Sequence, residues 1–250
     1  MTDSDTPPGH TGPENALVRS LVTVARWVLI QVITGVAVVL LFWVFNRTIV
    51  IGGRHVFREP GTLFLSNHQT MIDSFLVGYS ALYPRSIFRP RLVPWQAAAQ
   101  ENFFSNWFVA SLSHLYHCIP VRKGRRDVGV IHRATEVLSR NNLHLFPEGT
   151  RSRTGKIGRG RPGAGMVALA ARPTVIPVTI LGMDSVLPIG SVLPRFGKTI
   201  RIRFGRPLQY DDLVVAGRDT GAARELVDRA MNRIRFQRRA MERFANRQTR

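Results

Sequence analysis

Two short segments of the sequence carry side chains that can do chemistry together. The first, Asn-His-Gln-Thr-Met-Ile-Asp at positions 67–73, places a base, His68, five residues before a carboxylate, Asp73. The second, Phe-Pro-Glu-Gly-Thr-Arg-Ser at positions 146–152, places Glu148 and Arg151 around a glycine. A histidine beside a carboxylate can act as a general base, and an arginine can bind a phosphate through two parallel hydrogen bonds. Together the segments point to proton abstraction next to a bound anion.

The spacing of His68 and Asp73 limits how the two side chains can meet. Residues five apart in a regular helix lie about 140° apart around its axis and do not share a face. An apolar run of strand length, Thr62–Ser66, precedes the segment, and Met71–Tyr83 follows a helical pattern with Asn67 as its candidate N-cap. We therefore expect His68 on the turn into the helix, with Asp73 reaching back to one imidazole nitrogen and leaving the other as the base. In the alternative, Asn67 and Asp73 only cap the helix.

The two segments give the chain a resemblance to a known family. It resembles the lysophospholipid acyltransferases, specifically the 1-acylglycerol-3-phosphate acyltransferases, which carry a His-x4-Asp block followed by a Pro-Glu-Gly-Thr-Arg block. The resemblance runs from about Ile49 to Leu208. It implies that the second block holds the phosphate and glycerol part of the acceptor, and so assigns that role to Glu148, Gly149, Thr150 and Arg151.

Within this resemblance the attacking group is not an enzyme side chain. The sequence has no Gly-x-Ser-x-Gly elbow, and its lone cysteine, Cys118, has only His117 beside it. We expect the nucleophile to be an alcohol of the acceptor, deprotonated by His68 as it attacks an acyl thioester. One cysteine and scattered histidines predict no metal site, no disulfide and no cofactor beyond the donor substrate.

Two weaker segments also match blocks of the family. The run Cys118–Lys123 resembles the strand-then-arginine block near the acceptor phosphate, although a lysine directly follows the arginine, so either Arg122 or Lys123 is the expected contact. The run Val175–Val178 resembles the apolar block on the acyl side of the site, which assigns Pro177 there. Without the two main motifs, both runs would be ordinary buried strands.

Strand and helix patterns alternate after the first motif and predict an α/β fold. The resemblance adds a mixed, largely parallel sheet flanked by helices, similar to that of glycerolphosphate acyltransferases. The expected strands are 48–51, 62–66, 89–93, 117–121, 143–146, 174–181 and 199–204. The expected helices are 71–83, 95–113, 127–140, 163–171 and 221–246.

The amino-terminal region has a different composition. Residues 1–18 are rich in proline, glycine and polar side chains, which predicts a disordered lead-in. Residues 19–47 contain the uncharged run Trp27–Phe45, which is long enough to span a bilayer as a helix or to dip into one leaflet as a hairpin bent at Gly35. Arginines on both flanks leave the orientation open, while the resemblance favours the one-leaflet form. Residues 48–250 are the expected acyltransferase domain.

The charge distribution suggests the partners. The net charge is +19, basic runs flank the two motifs, and the carboxy-terminal helical region adds nine arginines between Arg224 and Arg250. Anionic membrane lipids are the expected partner of that helix. A nucleic-acid-binding protein would explain the charge but not the apolar run or the motifs, so we expect no nucleic acid partner. A nonenzymatic scaffold, or a relative that has lost activity, is disfavoured by the intact His68 and Asp73.

The sequence therefore predicts a membrane-associated acyltransferase. It is expected to move a fatty acyl chain from acyl-CoA or acyl carrier protein to the free hydroxyl of lysophosphatidic acid, giving phosphatidic acid. Another lysophospholipid as acceptor is the alternative. The expected location is the inner, cytoplasmic membrane, with the active site on the cytoplasmic side.

Overall fold

The computed structural model describes residues 13–57, 59–99, 116, 118–121, 128–191, 193–216 and 219–248. Their strands form one seven-stranded sheet in the order β1-β7-β6-β2-β5-β3-β4. Every neighbouring pair is parallel except β6 with β7, so the predicted mixed, largely parallel sheet is confirmed. The strands are β1 (Arg47–Ile51), β2 (Thr62–Ser66), β3 (Trp95–Ala99), β4 (Cys118–Val121), β5 (Leu143–Leu145), β6 (Thr174–Leu181) and β7 (Thr199–Phe204).

Helices cover both faces of this sheet. In chain order they are α1 (Pro13–Trp27), α2 (Gly35–Val39), α3 (Asp73–Leu82), α4 (Arg85–Phe88), α5 (Val128–Leu138), α6 (Gly163–Ala171), α7 (Met183–Val186), α8 (Asp211–Ala216) and α9 (Thr220–Gln248). Wide π-helical turns at Val28–Thr34 and Leu40–Val44 join α1 to α2 and extend α2, and single 3-10 turns lie at Gly53–His55 and Pro90–Leu92.

The alternating side chains of the central strands divide the core into two clusters. Leu63 and Leu65 of β2 belong to the cluster under α5, α6 and α9. Phe64, between them, belongs to the cluster under α2 and α3. Because successive strand residues point to opposite faces, one buried strand serves both clusters, and the domain has three layers.

The third strand lies later in the chain than the sequence predicts. Residues 89–93 were expected to be a strand, but Pro90–Leu92 forms a 3-10 turn, since proline cannot donate to a strand ladder. Trp95–Ala99 was expected to begin a helix, but it pairs with β5 and β4 as a strand. Its Gln-Ala-Ala-Ala sequence favours a helix, so sheet pairing overrides a local propensity. The remainder of that predicted helix lies outside the described residues.

The amino-terminal segment is one continuous helix from Pro13 to Val44, which we call the N-terminal helix. It begins within the stretch predicted as a lead-in, whose residues 1–12 lie outside the described range. Gly35 has ordinary helical dihedrals, so the expected hairpin bend is absent there. A Cβ at this position would lie 3.3 Å from Tyr83 and 3.4 Å from Tyr79. The glycine therefore allows the helix to pack closely on α3.

The carboxyl ends of β2, β5 and β6 meet at one edge of the sheet because these strands are parallel neighbours in register. Both motifs begin directly after such an end, at Asn67 after β2 and at Phe146 after β5. Sites in open α/β sheets form at the carboxyl ends of strands. The topology thus brings together two segments that lie about eighty residues apart in the chain.

Candidate active site

The turn at residues 67–73 is organised around the Asp73 carboxylate. Asp73 is fully buried at the first position of α3. Its Oδ2 accepts hydrogen bonds from the backbone N–H of Gln69 at 2.6 Å and of Thr70 at 2.8 Å, and its Oδ1 accepts one from Thr70 Oγ1 at 2.7 Å. These donors stabilise a buried negative charge and give the turn a single conformation.

His68 lies on this turn, in contact with Asp73 as the spacing argument requires. Nδ1 of His68 is 3.1 Å from Asp73 Oδ2. Because a carboxylate only accepts, Nδ1 carries the proton and Nε2 presents a lone pair. Among the described residues no group hydrogen-bonds Nε2, and the side chain is 17% exposed. The ring stacks on Phe146 with centroids 3.6 Å apart, so both the tautomer and the plane of the base are held.

Two amides anchor the turn to the end of β6 and to the start of α7. The Asn67 side chain accepts from the Ile180 N–H at 2.8 Å and donates to the Ile180 carbonyl at 3.0 Å. Gln69 Oε1 accepts from the Met183 N–H at 3.2 Å. The prediction that Asn67 caps the helix is therefore wrong, since α3 begins at Asp73 and Asn67 continues the pattern of sheet hydrogen bonds with its side chain. The position of His68 relative to β6 depends on this amide.

The second motif holds the backbone of His68 from the opposite side. Glu148 Oε1 accepts from the His68 N–H at 3.1 Å, and the Ser152 N–H donates to the His68 carbonyl at 2.9 Å. The other Glu148 oxygen accepts from the Gly158 N–H at 2.7 Å. Glu148 is buried and satisfied by backbone donors, so it makes no ion pair with Arg151 in the described part of the chain. The sequence does not reveal this role, because the contact spans 80 positions.

The arginines in and after the second motif are at least partly exposed to solvent. Gly149 has a φ of +67°, which favours glycine, and a Cβ there would lie 3.2 Å from both Cδ and Nε of Arg161. Arg161 therefore lies over the turn that carries Thr150 and the half-buried Arg151. The sequence places Arg161 only in a basic run, and its position beside Gly149 adds it to the site. Arg122 and Lys123 lie outside the described residues.

Pro177 lies in the interior of β6 rather than beside His68. It is buried, in register with Leu65 of β2, and its carbonyl accepts from the Gly205 N–H at 2.8 Å. A Cβ at Gly205 would lie 2.8 Å from Pro177 Cγ, so the two residues pack closely. The structure assigns Pro177 to the sheet and its packing, and its expected role on the acyl side stays a prediction.

The other candidate nucleophiles, Ser66 at the end of β2 and Cys118 on β4, are buried or protonated. Ser66 Oγ lies 2.8 Å from His144 Nε2, a pairing that could activate a serine, but both residues are buried. Burial, with a contribution from the charge of His68, lowers the pKa of His144 to about 3, so its ring is neutral. Burial raises the pKa of the Cys118 thiol to about 11, which leaves no thiolate at neutral pH. No metal-binding group of three or more residues occurs among the residues that the structure describes.

Known proteins with similar sequences carry an acyltransferase name. A chloroplastic 1-acyl-sn-glycerol-3-phosphate acyltransferase of Arabidopsis thaliana is 25% identical over 141 residues, which is 53% of this chain and 35% of that protein. A 1-acyl-sn-glycerol-3-phosphate acyltransferase of Limnanthes douglasii is 25% identical over 181 residues, 70% of this chain and 60% of that protein. The chain thus spans about a third of the length of the first of these relatives and well over half of the second.

The fold also matches a solved structure. The 1-acyl-sn-glycerophosphate (LPA) acyltransferase PlsC of Thermotoga maritima superposes with a TM-score of 0.55 at 19% identity, covering 78% of this chain and 75% of that one. The sequence pattern of the Acyltransferase family matches residues 47–181, just over half of the chain and the part that contains both motifs. The family predicted from the motifs is confirmed, and this chain belongs to the Acyltransferase family.

Proposed function

We propose that the protein transfers a fatty acyl group from a thioester to the free hydroxyl of lysophosphatidic acid, forming phosphatidic acid. The observation that carries the proposal is the His68–Asp73 pair, whose Nε2 has no hydrogen-bond partner among the described residues and whose turn is bound by Glu148 and Ser152 of the second motif. The names of the relatives support the acceptor class. The proposed donors are acyl-CoA or acyl carrier protein.

The proposed reaction is a direct transfer. Nε2 of His68 takes the hydroxyl proton as the acceptor oxygen forms a bond to the thioester carbon. Asp73 stabilises the imidazolium that results and keeps its orientation. When the tetrahedral intermediate collapses, the carbon–sulfur bond breaks, and the imidazolium returns the proton to the leaving thiolate. The enzyme ends in its starting state, and no acyl-enzyme forms.

The most direct test is a product profile of the purified protein. The purified protein should be given mixed lysophospholipids, with acyl-CoA in one reaction and an acyl carrier protein thioester in another. The products should then be identified by mass spectrometry. Phosphatidic acid as the main product supports the proposal. Acylation of a different lysophospholipid would reassign the acceptor, and a complete absence of acylated lipid would favour a nonenzymatic role.

The acceptor phosphate is proposed to bind Arg151. Replacing Arg151 with alanine should raise the acceptor KM by about ten- to a hundredfold, because a charge-assisted hydrogen bond contributes about 1.5–3 kcal/mol. Arg151→Lys should recover only part of this loss, since an ammonium lacks the planar fork. The donor KM should change much less. Arg140→Ala, an exposed arginine after α5, is the control. If Arg151→Ala instead raised only the donor KM, the assignment of the two substrate ends would be reversed.

The N-terminal helix is proposed to lie in the membrane surface with one face against the domain. Leu17–Val44 contains an 18-residue window with a mean hydropathy of 2.4 and is the one described helix long and apolar enough to cross a membrane. Its Val38 and Phe42 are buried on the domain, Trp27 Nε1 donates to the Ile87 carbonyl at 3.2 Å, and Thr34 Oγ1 lies 2.8 Å from the Tyr116 hydroxyl. A helix fastened along its length favours insertion into one leaflet over a free span.

Charges on the outward face of this helix should release the protein from membranes. Ile33, Val36 and Val44 are more than half exposed, and replacing all three with aspartate removes apolar contacts of about 1.5–3 kcal/mol each. The variant should float with liposomes far less than the wild type. Val215→Asp, at an exposed position on α8, should bind normally. Equal flotation of the triple variant would exclude this face as the anchor.

The last turns of α9 are proposed to add contacts with anionic lipids. Arg239, Arg243 and Arg247 are exposed there. Phe236 and Phe244, on the same part of the helix, are each more than half exposed. Each cation near an anionic surface contributes about 1 kcal/mol. The proposed location is the cytoplasmic face of the inner membrane.

A further inference from the structure

We infer that α9 positions the catalytic histidine through a hydrogen-bonded chain that runs from Arg235 through Gly158 and Glu148 to His68. The inference rests on the proposed function, since it makes Arg235 and Glu148 positioning residues for the acyl transfer. It also changes the role expected for Glu148, which is to hold the enzyme's own backbone rather than the glycerol of the acceptor.

The chain can be followed link by link. Arg235 Nη2 donates to the Gly158 carbonyl at 2.8 Å. The Gly158 N–H donates to Glu148 Oε2 at 2.7 Å, and Glu148 Oε1 accepts from the His68 N–H at 3.1 Å. Every link has a charged partner, an arginine at one end and a buried carboxylate in the middle. Hydrogen bonds with a charged partner are shorter and stronger than neutral ones.

The loop that contains Gly158 is also restrained at its two ends, where the Ser152 N–H donates to the His68 carbonyl at 2.9 Å and the Arg161 N–H donates to the Pro147 carbonyl at 2.7 Å. Residues 151–162 lack regular structure, and their internal bonds join Ser152 Oγ to the Lys156 carbonyl and the Lys156 N–H to Thr154 Oγ1. Arg238 provides a second contact from α9, by donating to the Gly155 carbonyl, and is itself paired with Glu242 at 2.7 Å. Two arginines about one helical turn apart thus hold the middle of the loop.

Close packing sets the distance between the loop and α9. A Cβ at Gly160 would overlap Val227 and lie 3.0 Å from Met231, both on α9. A Cβ at Gly158 would lie 2.9 Å from Glu148 Oε2. Since neither glycine has room for a side chain, the backbone of the loop fits between α9 and the Glu148 carboxylate. A shift of this loop is therefore expected to move Glu148 and with it the His68 turn.

The hydrogen-bonded chain explains why a basic helix that packs on the core matters to a catalytic site that it does not line. A misplacement of about 1 Å in a reacting group can cost roughly a hundredfold in rate. Arg235 contacts neither substrate in the proposed reaction. Its loss should therefore lower kcat while leaving both KM values nearly unchanged, unlike the loss of Arg151.

The test compares three variants of the protein. Arg235→Ala should lower kcat about tenfold, whereas Arg235→Lys should recover part of that loss because it keeps a donor for the Gly158 carbonyl. Arg233→Ala removes the same charge from an exposed position two residues earlier, without a described hydrogen bond, and should leave kcat unchanged. Thermal unfolding of all three separates loss of positioning from loss of folding.

A double-mutant cycle isolates the link to Glu148. Glu148→Gln can accept only one of the two backbone N–H groups, so Arg235→Ala should add little to its loss of kcat if both act through one chain. Arg233→Ala should combine with it multiplicatively. Multiplicative losses for Arg235 and Glu148, or equal kcat values for the Arg235 and Arg233 variants, would overturn the inference.

Amide hydrogen exchange tests the hydrogen-bonded chain without an activity assay. In Arg235→Ala, peptides covering residues 66–73 and 146–160 should exchange faster, while in Arg233→Ala they should match the wild type. Unchanged exchange in both variants would overturn the inference that Arg235 positions His68. An inactive wild type that still shows the exchange difference would instead count against the proposed function alone.

Discussion

Replacing His68 with alanine is expected to lower kcat by about 10²–10⁴-fold, the usual contribution of a general base to hydroxyl attack. The ring is held by Asp73 through Nδ1 and by Phe146 through stacking, so its Nε2 is already oriented for the acceptor. The rate of phosphatidic acid formation, measured at saturating donor and acceptor, gives the loss directly.

The control for this variant is another histidine. His132 is exposed on α5, away from the site, and His132→Ala should keep full activity. Acceptor binding by the His68 variant should persist, since Arg151 is untouched. Activity of His68→Ala within a few-fold of the wild type, or a stable acyl group trapped on Cys118 or a serine, would rule out direct transfer.

Asp73→Asn is expected to lower kcat by about 10²–10⁴-fold through the wrong histidine tautomer and a less stable imidazolium. The structure adds a second effect. The carboxylate accepts four hydrogen bonds, and an amide placed there would turn its NH₂ group toward one or more donors. The free energy of unfolding should fall by about 2–3 kcal/mol, measured by chemical denaturation.

Thr70→Val separates the two effects of the Asp73 change. It removes the bond from Thr70 Oγ1 to Asp73 Oδ1 but leaves the bond from His68 to Oδ2. The free energy of unfolding should fall by about 1 kcal/mol, with a much smaller change in kcat. If Thr70→Val lost as much turnover as Asp73→Asn, the role of Asp73 would be to shape the turn rather than to orient the histidine.

The Ser66–His144 pair is buried and therefore is not placed to form an acyl-enzyme. The serine and histidine lie within hydrogen-bond distance, yet neither is accessible and His144 stays neutral. The pair lies behind Phe146, whose ring contacts His144 edge-on at 4.5 Å and stacks on His68 from the other side. The pair therefore contacts the His68 ring only through Phe146.

The sequence by itself determined the parts of this protein that depend on neighbours in the chain. The His68–Asp73 contact follows from a five-residue spacing across a turn, and the strand at Thr62–Ser66 and the helix at Gly163–Ala171 follow from short apolar patterns. The sequence also identified the second motif, because a strand, a proline and a glycine in succession place Glu148 and Arg151 at a strand end.

Only the tertiary structure decided which distant partners these residues have. Asn67 binds a strand 113 positions away instead of capping its own helix, and Trp95–Ala99 is a strand because β4 and β5 lie on either side of it. Glu148 holds the backbone of His68, and Arg235 reaches Gly158 across 77 positions. These contacts depend on the order of strands in the sheet and on the path of α9. Local periodicity and turn chemistry act over only a few neighbouring residues, so they do not encode that order or that path.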